Sequence, residues 1–481
     1  MATTSATSST NLDINSIVSQ LMTVERQPIN QLNLKEAAYQ AKLSAYGSVK
    51  GAVSGFQTAL QGLSSASFQR LTATSSDSTV VSAAATSLAV AGIYSMEVTT
   101  LAQSQKLVAA GQASSSTAIG TGAATLVTFD FGSISGGMFD SVTGKYSGAA
   151  FTSNGGDVKS ITIDNSNNTL EGIRDAINVA KIGVSATLIN DGSGTPYRLA
   201  LSSDSTGANN SIKISTDGVD AAIDTLLVHN PAGTQNLAES VTAQDATLKI
   251  NGVAVSRSTN TVSDAIQGVT LTLSQVSTTP INLAVAKDTT SVTTSVSSFV
   301  KAYNDLSSTL QSLSAYNATS KSGAILQGDA TVRTLQFQLR GLLSKSVSDA
   351  GALNTLSDIG VSFQKDGKLA LNQTKLDTAL TGSLADVANL FTSSTGYATT
   401  LGNWAGSVLA SGGPLANRSD GLGLSIQQLG VQRAALETRL VGIEKRYRAQ
   451  FIALDVMLSN MNQTSTYLTQ QLANISNLNT R

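Results

Sequence analysis

The sequence predicts a multidomain α+β protein. Long helices from both chain ends form a coiled-coil stalk, and β-rich head domains are inserted between them. Near both ends, apolar residues recur every seven positions, which is typical of helices that need a partner along their length. Between residues 72 and 287, short β-like runs separated by Ser, Thr and Gly replace the helical period. The 481 residues are enough for several domains.

The N-terminal region is expected to contain two helices. Asp13 is a suitable N-cap for the first, and Pro28 interrupts it. The second helix carries Gly47, Gly51 and Gly55 on one face, and each Gly costs about 0.8–1 kcal/mol of helix propensity relative to Ala. Either the helix frays there, or another backbone approaches that face closely. Its predicted stalk contacts are Leu32, Tyr39, Tyr46, Val53 and Leu60.

The middle region contains an internal repeat, in residues 160–190 and 246–275. Each copy reads as a strand that ends in Asp or Asn, a short Thr-led helix and a Gly-Val strand. Ile177 and Ile266 occupy the same place in the two expected helices. The repeat predicts two related head domains.

Helical periodicity returns after residue 287, and its strictest heptad predicts stalk contacts at Val292, Val296, Phe299, Tyr303, Leu306 and Leu310. Asp329 is expected to cap an amphipathic helix, and Asp366–Gly367 to form the turn of a β-hairpin. A short helix is predicted at residues 384–391. Residues 411–414 and 417–423 read as a linker before the last helix.

The last helix carries its own heptad row. Polar Gln450, Thr464 and Gln471 interrupt a second row, which would weaken a permanent coiled coil there. The contacts predicted from the first row are Leu440, Tyr447, Leu454, Met461, Leu468 and Ile475.

The composition gives no indication of an enzyme. The chain has no Cys, and His229, its single His, falls in an expected loop. Residues 120–122 and 421–423 carry half of a nucleotide-binding glycine pattern and read as turns, and residues 164–168 read as a polar turn rather than a calcium loop. No cofactor or metal is expected, and the net charge of −1 argues against nucleic acid or anionic lipid as partners.

The N-terminus lacks the basic and apolar regions of a signal peptide, and no apolar run is long enough to span a membrane. We therefore expect no membrane partner and, if the chain is exported, another export route.

Several long motifs resemble the family of flagellar filament cap proteins, also called hook-associated protein 2. They include SFVKAYNDL at residues 298–306 and DIGVSFQKDGKLALNQTKLDTAL at residues 358–380. The start of the chain (LDINSIVSQLMTVERQPINQL), VTTLAQSQKL at residues 98–107 and the closing RYRAQFIALDVMLSNMNQTSTYLTQQL carry the same resemblance. The repeat resembles the IN motif that hook-associated proteins share with some flagellins.

The resemblance implies a secreted, homo-oligomeric ring at the distal tip of the bacterial flagellum, reached by type III export. There the ring would help exported flagellin subunits to fold and insert. Implied partners are flagellin, hook–filament junction proteins and an export chaperone at the C-terminal helix, with host mucin as a further candidate. The alternatives are another axial protein (a flagellin or junction subunit), or an adhesin that binds mucin through its head domains.

The family also implies terminal legs, and these complete the expected division of the chain. Residues 1–42 form an N-terminal leg segment, which pairs with the C-terminal leg helix of residues 450–481. Residues 43–73 and 288–449 form the stalk. Residues 74–110 and 238–287 form a first head domain, and residues 111–237 form an outer, β-rich head domain with the repeat.

Overall fold

The computed structural model describes residues 13–478, with side chains described to residue 474. The N-terminal leg segment predicted for residues 1–42 therefore lies partly outside the described residues. The described helices are α1 (Ile14–Glu25), α2 (Gln27–Gln61), α3 (Ser65–Gln69), α4 (Leu170–Ala180), α5 (Ala221–Leu227), α6 (Thr289–Ser314), α7 (Ala330–Leu343), α8 (Gln373–Thr392), α9 (Tyr397–Leu409) and α10 (Pro414–Leu478).

Strands fill the middle of the chain, with two small hairpins further on. They are β1 (Leu71–Ser75), β2 (Val81–Ala85), β3 (Gly92–Thr100), β4 (Lys106–Val108), β5 (Thr125–Ser135), β6 (Met138–Asp140), β7 (Lys145–Ser147), β8 (Ala150–Ser153), β9 (Lys159–Ile163), β10 (Val184–Asn190), β11 (Tyr197–Ser203), β12 (Ser211–Thr216), β13 (Ala238–Val241), β14 (Ala246–Ile250), β15 (Val253–Arg257), β16 (Thr261–Ile266), β17 (Val269–Leu273), β18 (Ile281–Lys287), β19 (Tyr316–Asn317), β20 (Ser322–Gly323), β21 (Val361–Phe363) and β22 (Leu369–Leu371).

The chain divides into two compact units. Unit 1 comprises the residues up to Phe68 and those from Thr289 onward, and unit 2 comprises Gln69–Asp288. Unit 1 is helical apart from the hairpins β19–β20 and β21–β22, and unit 2 is mainly strands. The predicted α+β class, with helices from both chain ends and β-rich domains between them, is confirmed.

The start of unit 1 follows local sequence signals. The Asp13 side chain accepts a hydrogen bond from Ser16 N and caps α1, as predicted. The helix α1 ends at Glu25, before Pro28, which lies in the first turn of α2. Both interpretations of the three glycines are wrong. The helix α2 runs unbroken to Gln61, and a Cβ at Gly47, Gly51 or Gly55 would meet nothing within 4 Å.

The core of unit 1 is formed by the C-terminal half of α2 with α6, α7, α8 and α9. The Phe56 and Phe299 rings lie 5.9 Å apart, and Tyr303 meets Phe56 edge-on at 6.4 Å. Asp329 caps α7, as predicted. The β21–β22 hairpin turns at Gly367 (φ +81°), and Tyr303 Oη donates to the Gly367 carbonyl at 2.9 Å. The predicted helix at residues 384–391 is the second part of α8, after a kink at Ser383.

The linker predicted for residues 417–423 is wrong, because α10 already begins at Pro414 and is continuous through Gly421 and Gly423. Leu415, Leu422 and Leu429 are buried at seven-residue spacing on this helix. Their burial stabilises helical structure that the glycines alone would disfavour.

Unit 2 contains two cores. The first lies on the five-stranded sheet β1-β18-β3-β14-β15 and the sheet β16-β17-β2. The second lies between the sheet β10-β11-β4-β13, the strands β12, β5, β8 and β9, and the helices α4 and α5. We call the regions around them the inner domain and the outer domain.

Several predicted domain boundaries differ from these cores. The strand β4 pairs with β11 and β13, and Leu107 is buried in the outer core. The outer domain therefore includes β4 and β13, which lie outside the predicted range of residues 111–237. The strand β1 places residues 71–73 in the inner sheet rather than in the stalk.

The second copy of the repeat is not helical, which corrects the prediction. In the first copy, the Thr169 hydroxyl caps α4 and Ile177 is buried. In the second copy, Ile266 belongs to β16, which pairs with β17 across a turn at Gly268 (φ +72°). The Asn260 side chain bonds the Ala102 backbone just before β16, and pairing with β17 holds the following residues extended.

The turns and loops predicted from the sequence are present in part, and the loop predicted at His229 is not. The Asp164 carboxylate accepts from Ser166 N in a polar turn, as predicted, and Gly120 and Gly122 have positive φ, with a bend at Gly120. His229 is not in an open loop. Its backbone bonds Ile214 in both directions, and its side chain is fully buried.

Candidate functional site: the helical leg

The leg consists of α1 and the part of α10 from residue 440 onward. Val18 and Met22 of α1 are buried against Leu440 and Ile443 of α10, with Tyr447 and Phe451 at the edge of this cluster. These apolar side chains lie one or two turns apart on each helix, so one face of α1 covers one face of α10.

Polar bonds flank this contact. Tyr447 Oη donates to the Glu25 carboxylate at 3.0 Å, and this hydrogen bond raises the pKa of Tyr447. Arg448 donates to Asn15 Oδ1 at 2.8 Å and forms an ion pair with Glu444 at 2.9 Å. Tyr447 and Glu25 are half-buried, whereas Arg448 is exposed, and an exposed ion pair such as Arg448–Glu444 contributes little, about 0–1 kcal/mol.

The helices α2 and α10 run antiparallel. Arg433 pairs with Glu36 at 2.7 Å, whereas Arg418 further back on α10 reaches Tyr46 further along α2. In the same register, α1 lies against residues 440–451 of α10. This differs from the predicted pairing of residues 1–42 with 450–481, because α10 continues well past the described start of α1.

The apolar face of α10 also continues past α1. Leu454, Met457, Met461, Leu468 and Leu472 follow Ile443 and Tyr447 at spacings of three, four or seven residues, which keeps them on one helix face. We call these five residues the open stripe. All are exposed, from 42% at Leu454 to 66% at Leu472. Within the described residues, nothing covers them.

The sequence-predicted contacts thus fall into distinct environments. Tyr39 packs at the edge of the unit 1 core, Leu32 is half-buried nearer the start of α2, Leu440 and Tyr447 lie under α1, and Leu454, Met461 and Leu468 are exposed. The Ile475 side chain lies outside the described residues. The structure brings one group together in the unit 1 core: Tyr46, Val53, Leu60, Val292, Val296, Phe299, Tyr303, Leu306 and Leu310.

Sequence reasoning missed the first part of the α10 contact. Leu415, Leu422 and Leu429 extend the seven-residue row that contains Leu436 and Ile443. The spacing was a sufficient signal, but the neighbouring glycines suggested a linker.

A polar network joins three helices of unit 1. Asp329 accepts from the Thr331 and Val332 amides, and Arg418 lies 3.4 Å from its second oxygen. Arg418 Nε also donates to Tyr46 Oη at 3.3 Å. Burial raises the pKa of Tyr46, which stays a neutral hydroxyl at physiological pH. The network fixes the start of α10 against α2 and α7.

A second polar cluster lies inside the outer domain. Gln105 Nε2 donates to the buried Glu239 carboxylate at 2.6 Å, and Tyr146 Oη donates to its other oxygen at 3.2 Å. Burial raises the pKa of Glu239 to about 7, although both hydrogen bonds oppose the shift. Burial, with a smaller contribution from the positive charge of Lys145, lowers the pKa of His229 to about 4. Sequence reasoning did not single out Glu239.

Among residues 13–478, no three His, Cys, Asp or Glu side chains lie close enough together to hold a metal ion. No described helix is long and apolar enough to cross a membrane.

Comparison with known proteins identifies the family. Residues 10–105 match the model of the flagellar hook-associated protein 2 N-terminus, and residues 243–463 match that of its C-terminus. The chain is 37% identical to flagellar hook-associated protein 2 of Escherichia coli strain K12, over 97% of both chains. It is 33% identical to B-type flagellar hook-associated protein 2 of Pseudomonas aeruginosa, over 96% of both.

The solved structures agree. The D1–D2–D3 domains of the flagellar cap protein FliD from Escherichia coli share 37% sequence identity, with a TM-score of 0.62. The match covers 79% of this chain and 99% of that one. These matches support the interpretation as a cap protein over the alternatives of a flagellin, a junction subunit or an adhesin. The chain belongs to the flagellar hook-associated protein 2 family, the proteins that cap the flagellar filament.

Proposed function

We propose that copies of this chain form the ring that caps the distal tip of the bacterial flagellar filament. The ring promotes the folding and insertion of exported flagellin and prevents its loss, so that the filament elongates. No catalytic step is part of this proposal. Family membership supports the cap role, and the open stripe on α10 supports the way in which the cap holds the filament.

The open stripe carries the proposal because a monomer gains nothing from exposing five large apolar side chains on one helix face. A contiguous exposed patch of this kind usually marks a surface for another protein. Gln450, Thr464 and Gln471 are exposed near the same face. Polar groups there weaken the contact, which suits a leg that must release one flagellin site and engage the next.

The partners follow from the same surface. At the filament tip the open stripe contacts flagellin, and during the first stage of assembly it contacts the hook–filament junction proteins. Before export, a dedicated chaperone covers the same helix. Host mucin stays a prediction, because no described surface of the chain points to it.

The test changes the stripe and leaves the helix intact. Met461 and Leu468 are replaced by Ser in one variant, and the exposed Gln463 and Gln470 are replaced by Ser in the control. We expect cells with the first variant to shed flagellin into the medium and to make short filaments, and cells with the control to make filaments of normal length. Normal filaments with both variants would contradict the role of the stripe.

A second variant tests the need for exchange. Replacing Gln450, Thr464 and Gln471 by Leu should strengthen the grip and slow elongation, measured as filament length against time by electron microscopy. Elongation at the parent rate would show that these polar groups have no such role.

A further inference from the structure

A second exposed apolar feature lies on α7. Phe337 is 81% exposed, although Val332, Leu335 and Leu339 on the same helix are buried. Exposing a Phe ring leaves unused most of the roughly 1.5–3 kcal/mol that its burial would contribute. No packing among residues 13–474 accounts for its position.

Two arginines flank this ring. Arg333 and Arg340 lie four residues before and three residues after Phe337, so all three side chains share one exposed face of α7. No carboxylate of the described residues forms an ion pair with Arg333. Arg340 packs against the Gly367 turn. Aromatic residues and arginine are the types most enriched at the centres of protein interfaces.

A groove of about 480 Å³ runs beside Phe337. Tyr303, Leu310 and Gln311 of α6 line one wall, and Gln336 and Phe337 line the other. Asp366 and Arg340 lie in its lining near the β21–β22 turn, and Ala315 lies in its lining beside the β19–β20 hairpin. Its volume is within the usual range for a ligand-binding pocket.

The charges of the two units indicate the partner. Residues 69–288 carry 17 acidic and 11 basic residues, a net charge of −6, whereas the rest of the chain carries 14 acidic and 19 basic residues, a net charge of +5. The near-neutral total therefore conceals two units of opposite charge. Unit 1 of one copy and unit 2 of another attract each other, and this attraction steers them into contact.

We propose that this surface, formed by Phe337, Arg333, Arg340 and the adjoining groove, binds the acidic unit 2 of a second copy of the chain. The contact buries the Phe337 ring, and the Arg333 guanidinium meets a carboxylate of the neighbouring copy. The proposal rests on the ring proposed above and names one of its contact surfaces.

Cross-linking tests which molecule occupies the groove. Because the chain has no Cys, the variant Gln311→Cys places a single benzophenone label in the groove of the full-length protein. Labelled protein is mixed with a ¹⁵N-labelled copy and with flagellin, irradiated and analysed by peptide mass spectrometry. Thr378→Cys, exposed on α8 and outside the groove, is the control.

We expect cross-links from position 311 to residues 69–288 of the ¹⁵N copy, and at least tenfold fewer from position 378. Cross-links only to flagellin, only to unit 1 of another copy, or only within one copy would overturn the proposal. Equal yields from both positions would overturn it as well, because they would reflect random collision.

Substitution tests the energy of the contact. Phe337→Ser and Arg333→Glu should each raise the protein concentration needed for assembly by about tenfold or more, measured by analytical ultracentrifugation. Leu424→Ser, which removes another exposed apolar side chain, should leave it unchanged. Fluorescence of Trp404 in unit 1 confirms that each variant is folded.

Failure of this inference and failure of the cap function are distinguishable. If Phe337→Ser assembles like the parent while the parent caps filaments, the inference is wrong and the function stands. If the parent chain neither assembles nor restores filaments in a strain that lacks its own cap protein, the proposed function itself is wrong.

Discussion

The buried carboxyl of Glu239 makes the stability of the outer domain depend on pH. The pKa of Glu239 is about 7 in the folded chain, against an ordinary value of 4.5. Since the folded state holds the proton more tightly, the stabilisation is complete below pH 4.5 and is lost as the pH rises to 7. At 1.36 kcal/mol per pKa unit, the loss is about 3 kcal/mol.

His229 acts in the opposite direction. Its pKa is about 4 in the folded chain, against an ordinary value of 6.5. Between these two pKa values the unfolded chain binds a proton at His229 and the folded chain does not. The free energy of unfolding therefore falls by about 3 kcal/mol as the pH drops from 6.5 to 4. Between pH 4.5 and 6.5 the two effects nearly cancel, so the parent protein should show an almost flat profile.

The variant Glu239→Gln removes the titration of residue 239, leaves that of His229, and keeps a hydrogen-bond acceptor for Gln105. We expect the free energy of unfolding of its outer domain to rise by about 3 kcal/mol from pH 4.5 to 6.5, against almost no change in the parent. The carboxylates with lowered pKa, such as Asp191 at about 2, titrate below this window.

Amide hydrogen exchange of Leu199 and Leu201 in the full-length chain measures this free energy, since both lie in strand β11 of the outer core. Trp404 fluorescence in urea follows unit 1 in the same samples as an internal control. The variant Glu97→Gln removes a carboxylate outside this buried cluster and should follow the parent. Parallel profiles of Glu239→Gln and the parent would refute the argument.

Three further variants concern unit 1, and urea unfolding followed by Trp404 fluorescence measures the stability of all three. Phe299→Ala should destabilise it by about 3–5 kcal/mol, because it leaves a cavity in a fully buried aromatic cluster; a loss below 1 kcal/mol would contradict this packing. Gly51→Ala should stabilise it by about 0.8–1 kcal/mol, since the new methyl group meets only solvent. Gly367→Ala should destabilise it, because a residue with a Cβ is strained at this positive φ and the end of the Arg340 side chain would have to move; stabilisation by both alanines would refute the distinction.

Features that depend on a few adjacent residues could be predicted from the sequence. The caps at Asp13 and Asp329 and the turn at Gly367 were predicted correctly, since each requires only a local side chain or a positive φ. The heptads at both ends predicted long helices, because apolar residues at this spacing form one face of a helix whichever partner covers that face.

Features that depend on distant contacts could not be predicted. Gly421 stays helical because Leu422 is buried, and the sequence does not show what buries it. Ile266 lies in a strand because the neighbouring strand β17 pairs with its backbone, and the residues around Ile266 do not show that this pairing occurs. The pKa of Glu239 is raised because residues far along the chain bury its carboxyl, and the local sequence does not show this burial. The apolar spacing of the open stripe was visible in the sequence, but only the length of α1 in the structure shows which of the apolar residues of α10 are left exposed.

The continuity of α10 has a mechanical consequence. A helix of 65 residues is about 98 Å long, at 1.5 Å per residue. Its packing against α2 and α1 holds it as far as residue 451, so about 27 residues, roughly 40 Å of helix, extend beyond the last contact. A bend of about 5° at residue 451 displaces the far end by roughly 3.5 Å. A small change in the packing of α1 on residues 440–451 is therefore amplified at the end of the leg.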